Sequence, residues 1–232
     1  MAPHSTMAPH SWKDRVQHLT TAAAQPLLAG SLHDYLTTLA SAAPAPGGGS
    51  VAALAAAQGA ALLSMVLNLT LGRPRFAASE ETGRALLAET EHLRAACAAL
   101  IDRDAAVLGA LIASYKLPKG TPEERAARTA TLAAQTRKAT AVPLAVARAA
   151  AALLPLCRQL LPIGNPTAVS DIGVAATCAV AGFRAAELNV LINLGQLQDE
   201  AFVATTRATL HELGNGLEGE AAAILAAVRE RL

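Results

Sequence analysis

Residues 35–72 carry no charged side chain, and an uncharged stretch of that length must be hidden either in a membrane or in a protein core. About 20 consecutive apolar residues suffice to cross a bilayer. Three features point to the core instead. Gln58, Ser64, Asn68 and Thr70 interrupt the later part, alanine contributes little to membrane insertion, and Pro44, Pro46 and the glycines at 47–49 break the earlier part. The expectation is a buried core helix in a chain with no membrane partner.

The two prolines lead into a glycine turn and a helix start. In Pro44-Ala45-Pro46-Gly47-Gly48-Gly49-Ser50-Val51, each proline fixes its own φ and biases the preceding residue away from the α region, so the approach is extended. The glycines then let a ligand or another backbone come close, because no Cβ stands in the way. The helix that starts there presents unpaired N–H groups and a partial positive charge, which suits an anionic or carbonyl-bearing group. A plain helix-packing turn is the alternative reading. The turn is neither a GxxxxGK[ST] phosphate loop, since lysine is missing, nor a GxGxxG following a strand.

Apolar residues recur at spacings of three and four throughout, and alternating β-branched runs are absent, so the chain reads as all-α. Helices are expected at about 31–42, 48–71, 78–115, 122–154, 170–194 and 199–231, making one elongated antiparallel bundle. Thr121, Pro122 and Glu124 form a capping-box start. Pro143 falls inside the fourth helix, where it costs an intrahelical bond and frees a carbonyl for a neighbour or ligand. Residues 1–30 read as a separate N-terminal extension, partly flexible, containing a duplicated start at Met1-Ala2-Pro3-His4-Ser5 and Met7-Ala8-Pro9-His10-Ser11; residues 31–232 read as the helical domain. No basic region precedes a long apolar segment at the start, so no secretory signal is expected.

Hydrophobic residues make up 53% of the 232, yet aromatics only 3%, and much of the apolar content is alanine. Small side chains imply closely packed helices, and so many alanines on every face imply an oligomer. A net charge of +1 and few aromatic stacking platforms argue against nucleic-acid binding. Cys97, Cys157 and Cys178 are widely spaced and odd in number, reading as buried thiols in a reducing cytoplasm. The six histidines are scattered, with no metal-ligand spacing.

Far along the chain come Ser170-Asp171-Ile172-Gly173-Val174-Ala175-Ala176 and Asn189-Val190-Leu191-Ile192-Asn193-Leu194, with Leu117-Pro118-Lys119 and Thr121-Pro122-Glu123-Glu124 before them. Taken with the glycine turn, in this order from about Leu32 to Phe202, the chain resembles the cyclodeaminase/cyclohydrolase family. That family includes the C-terminal domain of formiminotransferase-cyclodeaminase and stand-alone bacterial methenyltetrahydrofolate cyclohydrolases. The resemblance implies a homodimer with a folate cleft near the subunit contact, a tetrahydrofolate derivative as substrate, and no prosthetic group.

Candidate site residues come from the residue pattern and the resemblance together. Asp102 and Asp104 differ by about 200° around a helix, so only one faces a given pocket. Asp104 shares a stripe with Leu100, Ile101, Val107, Leu108 and Leu111, whereas Asp102 lies among small residues. A carboxylate on an apolar face is costly unless paired or useful, and desolvation raises its pKa toward that of a working acid or base. The alternative is an ion pair. The family pattern of aspartate followed by alanine matches Asp104-Ala105, but Leu108 replaces the aromatic often found there, which alters pocket shape. Asp171 is the second candidate carboxylate. Ser170 as N-cap and Asp171 in the first turn would also stabilise a helix without catalysis; the resemblance instead sets Ser170 and Asp171 beside substrate, with Gly173 leaving room. Asn189 and Asn193, at i and i+4 on one face, either bond across helices or hold the edge of a pterin ring. Pro46, Gly47, Gly48, Gly49 and Ser50 are the candidate ligand turn. Arg73, Lys119, Arg128 and Lys138, with Arg75, are candidates for a folate glutamate tail.

The reading preferred among those the resemblance implies is hydrolysis of 5,10-methenyltetrahydrofolate to 10-formyltetrahydrofolate, although the same motifs serve either family activity. The alternatives are the cyclodeaminase reaction, which releases ammonia from 5-formiminotetrahydrofolate, and a noncatalytic folate-binding or helical scaffold.

Overall fold

The computed structural model describes residues 26–232; the duplicated start lies outside the described residues. Seven α-helices account for most of them: α1 (Leu32–Leu39), α2 (Gly48–Thr70), α3 (Glu80–Tyr115), α4 (Pro122–Leu160), α5 (Val169–Leu194), α6 (Glu200–Gly214) and α7 (Leu217–Arg229). No strand occurs among the described residues. At 1.5 Å per residue, α3 and α4 are about 54 and 58 Å long, which sets the elongated shape.

The expected boundaries hold to within a residue or two for α2, α3 and α5. Two differ. The helix expected to end at 154 runs on through Pro155 to Leu160. The single helix expected over 199–231 is two, because the chain reverses at Asn215-Gly216, where Gly216 adopts φ 74°, a left-handed conformation open to glycine. The capping box is present: Thr121 Oγ1 accepts from Glu124 N–H while the Glu124 carboxylate accepts from Thr121 N–H. Within the expected N-terminal extension, Leu27–Ala29 form a 3-10 turn tied to α3, with Leu27 N–H donating to Asp102 Oδ1 at 2.5 Å.

Helices α2, α3, α4 and α5 form the central bundle, with α2 against α3 and α5, and α4 against the same two. Helix α6 lies along α4, and α7 along α5. The α2–α5 contact is built from small residues. Ala52, Ala56, Ala60, Ala175, Ala176 and Ala179 are all fully buried, and a Cβ at Gly182 would lie 3.1 Å from Ala52 O, one at Gly59 3.0 Å from Ala175 O. The backbones are therefore as close as they can be. Larger side chains, Leu63, Leu153 and Phe183 among them, fill the remaining interior. Three helical segments, Gly48–Thr70, Pro122–Leu160 and Pro166–Leu194, are long and apolar enough to cross a membrane by length and composition; here they pack against one another.

Candidate active site

The start of α2 has no side-chain cap of its own. It is met by Asp104, which α3 brings across the bundle. Ser50 Oγ lies 3.2 Å from Asp104 Oδ2 and 3.1 Å from Ile101 O, its one hydroxyl hydrogen serving both acceptors. The Ser50 backbone N–H also favours the charged form of the carboxylate. The negative charge expected at this helix start is thus supplied at least in part by the protein itself, where the dipole favours it. Gly49 makes the approach possible: a Cβ there would sit 2.1 Å from Asp104 Oδ1, a distance no atom pair tolerates. The glycine turn reads as a close-approach device, with the Ala45-Pro46 peptide cis on entry.

Asp104 forms no ion pair among the described residues. Burial pushes its pKa up from the ordinary carboxylate value, against the opposing pull of the Ser50 hydroxyl and backbone N–H. This combination, a desolvated carboxylate facing a cavity without a cation, is what acid–base chemistry requires.

The cavity, of about 230 Å³, is lined by Pro44, the three glycines, Asp104, Leu108, Pro143, Asn189, Asn193 and Gln196, among others. Midway along α4, Pro143 removes a donor, so the carbonyl of Ala139 loses its helical partner. Asn193 Nδ2 fills that vacancy, donating to Ala139 O at 3.0 Å. Asn189 Nδ2 donates back to Ala185 O at 2.8 Å, and its amide lies 3.1 Å from where a Cβ of Gly48 would be. Both asparagines therefore use their N–H groups on carbonyls, one across helices as expected and one within its own helix. Their orientation is fixed beside the cavity.

Several site features were not read from the sequence. Tyr35 of α1 is 8% exposed and its hydroxyl has no hydrogen-bond partner among the described residues. Burial, then the Asp104 charge, raise its pKa, so a buried O–H senses the buried carboxylate. In a chain with 3% aromatics, a tyrosine in the short helix that precedes the glycine turn was the available signal. Gln196 joins the cavity rim and accepts from Tyr115 Oη at 3.0 Å. Asp102, set aside for Asp104, anchors Leu27.

Other expected residues lie elsewhere. Ser170 and Asp171 open α5, eighteen residues before Asn189, hence about 27 Å away along the helix axis. The helix N-cap is Ala168, not Ser170, and no side chain caps it; Asn165 caps the preceding 3-10 turn. Gly173 gives no room to a ligand, because a Cβ there would contact Leu225 and Val228 of α7 at 3.4 Å. Arg73, Lys119 and Lys138 are exposed and do not line the cavity. Arg128, partly buried, donates to Tyr115 O at 3.2 Å and also lies outside the lining. Cys97 and Cys157 are buried, with thiols pushed up by burial to about 11 and about 12; Cys178 is partly buried.

Comparison with known proteins bears on this geometry. A family model described as formiminotransferase-cyclodeaminase matches residues 31–212. Formimidoyltransferase-cyclodeaminase of Rattus norvegicus is 38% identical over 229 residues, 97% of this chain and 42% of that protein. Methenyltetrahydrofolate cyclohydrolase of Methylorubrum extorquens is 41% identical over 194 residues, 84% of this chain and 91% of that protein. The chain thus spans less than half the length of the rat protein and most of the bacterial one. The crystal structure of formiminotetrahydrofolate cyclodeaminase from Thermotoga maritima matches with a TM-score of 0.72 at 26% identity, covering 89% of this chain and 97% of that one.

Proposed function

The chain belongs to the formiminotransferase-cyclodeaminase family, and on that premise we propose that it is a folate one-carbon enzyme that hydrolyses 5,10-methenyltetrahydrofolate to 10-formyltetrahydrofolate. The observation that carries the reading is the Asp104 carboxylate, desolvated and without an ion pair among the described residues, at a cavity lined by the glycine turn, Asn189 and Asn193.

In the substrate the carbon bridging N5 and N10 is an electrophilic amidinium. Asp104 takes a proton from water as the water oxygen bonds to that carbon, giving a neutral tetrahedral adduct. The protonated carboxyl then returns a proton to N5, the C–N5 bond breaks, the adduct hydroxyl loses its proton, and the carbonyl of the 10-formyl product forms. Water is consumed, one proton is released, and no electrons are transferred. A raised pKa suits both halves of this cycle. Asn189 and Asn193, locked by their own hydrogen bonds, present their amide oxygens to the N–H edge of a pterin.

The cyclodeaminase reaction is the second reading, favoured by the name of the structural relative. It passes through a tetrahedral carbon between the same two nitrogens, with ammonia leaving after protonation. Loss of the methenyl chromophore above the spontaneous rate would establish the hydrolysis; its appearance from 5-formiminotetrahydrofolate with ammonia release would establish the cyclodeaminase. Neither signal would leave a noncatalytic scaffold.

We further propose that the working unit is a homodimer that completes the site. Along α5, Val174, Thr177, Ala181, Leu188 and Ile192 form an exposed stripe, with Val174 50%, Leu188 67% and Ile192 55% exposed. Val174 and Leu188 lie equally far from Ala181 along the chain, as do Ser170 and Ile192. Pairing two copies antiparallel through a two-fold axis there sets Val174 against Leu188 and Ser170 against Ile192. Asp171 of each copy then stands at the Asn189–Asn193 end of the other, where a second carboxylate stabilises the amidinium cation. A cytoplasmic setting fits the three unpaired thiols. The partners are the folate and a second copy, with no role for nucleic acid, membrane, metal or prosthetic group.

A further inference from the structure

A second cavity, of about 340 Å³, opens at the Val169 end of α5, away from Asp104. Its lining brings together Arg75, from the 3-10 segment Pro74–Ser79, and Arg231, from the residues after α7. Both side chains are solvent-exposed, so water screens much of their mutual repulsion, and an anion shared between them would gain attraction from both. No carboxylate among the described residues takes that place. Neither arginine belongs to any ion pair of the described residues, and no aspartate or glutamate lines the cavity.

Both side chains are nevertheless held. Arg75 Nη2 donates to Asn165 Oδ1 at 3.2 Å, and its guanidinium lies over the Phe76 ring at 4.3 Å. Asn165 is 6% exposed and rigidly placed: its backbone N–H donates to Thr70 Oγ1 at 2.8 Å and its Nδ2 to Leu69 O at 3.2 Å. Arg231 Nη1 donates to Leu161 O. Each guanidinium has five N–H donors and spends one here on an uncharged acceptor. The result is a pair of oriented, solvent-accessible cations with donors to spare, at a concavity that Phe76, Pro162 and Ile163 also line. Planar forks of this kind match the oxygens of carboxylate and phosphate groups.

We propose that this cavity is an oxyanion-binding site, in which Arg75 and Arg231 together hold a carboxylate or phosphate group. Two sources share that chemistry: the acidic tail of a folate substrate, which rests on the function proposed above, and a free inorganic anion, which does not.

The test is titration calorimetry of the full chain with inorganic phosphate and, separately, with tri-γ-glutamate. The wild type is compared with R75Q, R231Q and the remote, charge-matched R148Q. Glutamine keeps a donor for Asn165 or Leu161, and circular dichroism verifies that each variant is folded. The proposal expects saturable binding of at least one probe, weakened tenfold or more in both R75Q and R231Q and unchanged in R148Q. Tighter binding of tri-γ-glutamate than of phosphate identifies the tail as the source; phosphate binding equal or tighter identifies a free anion. Absence of binding by both probes, or binding by R75Q and R231Q equal to that of the wild type, overturns the site. The activity of D104N is independent of this result, so failure here and failure of the proposed reaction are separate outcomes.

Discussion

The two ends of α5 carry motif residues of similar chemistry in opposite physical situations. At the C-terminal end, Asn189 and Asn193 join the Asp104 cavity. At the N-terminal end, Asp171 sits in the first helical turn, partly exposed and outside the lining of that cavity. Asp104 also meets a helix start, that of α2, but burial outweighs the help it receives and its pKa rises. The comparison teaches that a helix N-terminus alone does not make a carboxylate reactive; what surrounds the carboxylate does. The glycines tell the same story, for Gly49 admits the Asp104 carboxylate while Gly173 admits only the side chains of α7.

The comparison is broken most easily at Asp104. D104N is expected to lose about 10³-fold in kcat with folate affinity kept, since acid–base groups contribute about 10² to 10⁴; steady-state kinetics and equilibrium binding read the two apart. Wild-type kcat is expected to rise with pH through an apparent pKa above the ordinary carboxylate value, because the base form does the work. Stability carries the opposite sign. The native state holds the Asp104 proton more tightly than the unfolded chain does, so stability falls as pH rises from about 4 through the native pKa. D104N removes that term, and its Tm relative to wild type should climb over the same window.

Gly49→Ala comes next. Its Cβ must displace the carboxylate, and a misplacement of about 1 Å costs on the order of 10² in rate. Gly173→Ala, at 3.4 Å from its neighbours, should leave kcat intact and shift stability by less than about 1 kcal/mol. Equal kinetic damage from both would erase the distinction between the two ends.

Asn193→Ala should cost about 1 kcal/mol of stability by thermal denaturation, because the Ala139 carbonyl freed by Pro143 loses its donor, and should raise KM. The smallest effect is expected from Tyr35→Phe. Removing the unpartnered hydroxyl should move the acid limb of the kcat profile by a fraction of a unit and leave stability near wild type. A flat response would mean that Tyr35 contributes only bulk.

Much of this geometry was legible in the sequence. The spacing of apolar residues set the all-α class and most helix ends, and the stripe argument chose Asp104 over Asp102. Pro143 announced a free carbonyl, and Asn193 takes it. Less legible was whatever depended on the third dimension. Local propensity over 199–231 is helical throughout, so the break at Gly216 rests on one glycine with positive φ. Continuation of α4 past Pro155 rests on burial of Leu156, Cys157 and Leu160, which offsets the lost backbone bond. Tyr35 comes within electrostatic range of Asp104 by tertiary packing that no spacing encodes. The distance between Asp171 and Asp104 could not be seen either, because motif order along a chain says nothing about which ends of long helices meet.

That distance makes the shared site the claim most worth testing. D104N and D171N chains, differently tagged and co-expressed, yield a mixed dimer isolated through both tags. The account predicts that each variant alone is inactive. It predicts that the mixed dimer recovers about half the wild-type rate of methenyl turnover, since one of its two sites then combines an intact Asp104 with an intact Asp171 from the other copy. A mixed dimer as inactive as either parent would contradict the assignment of Asp171 to the second copy's site.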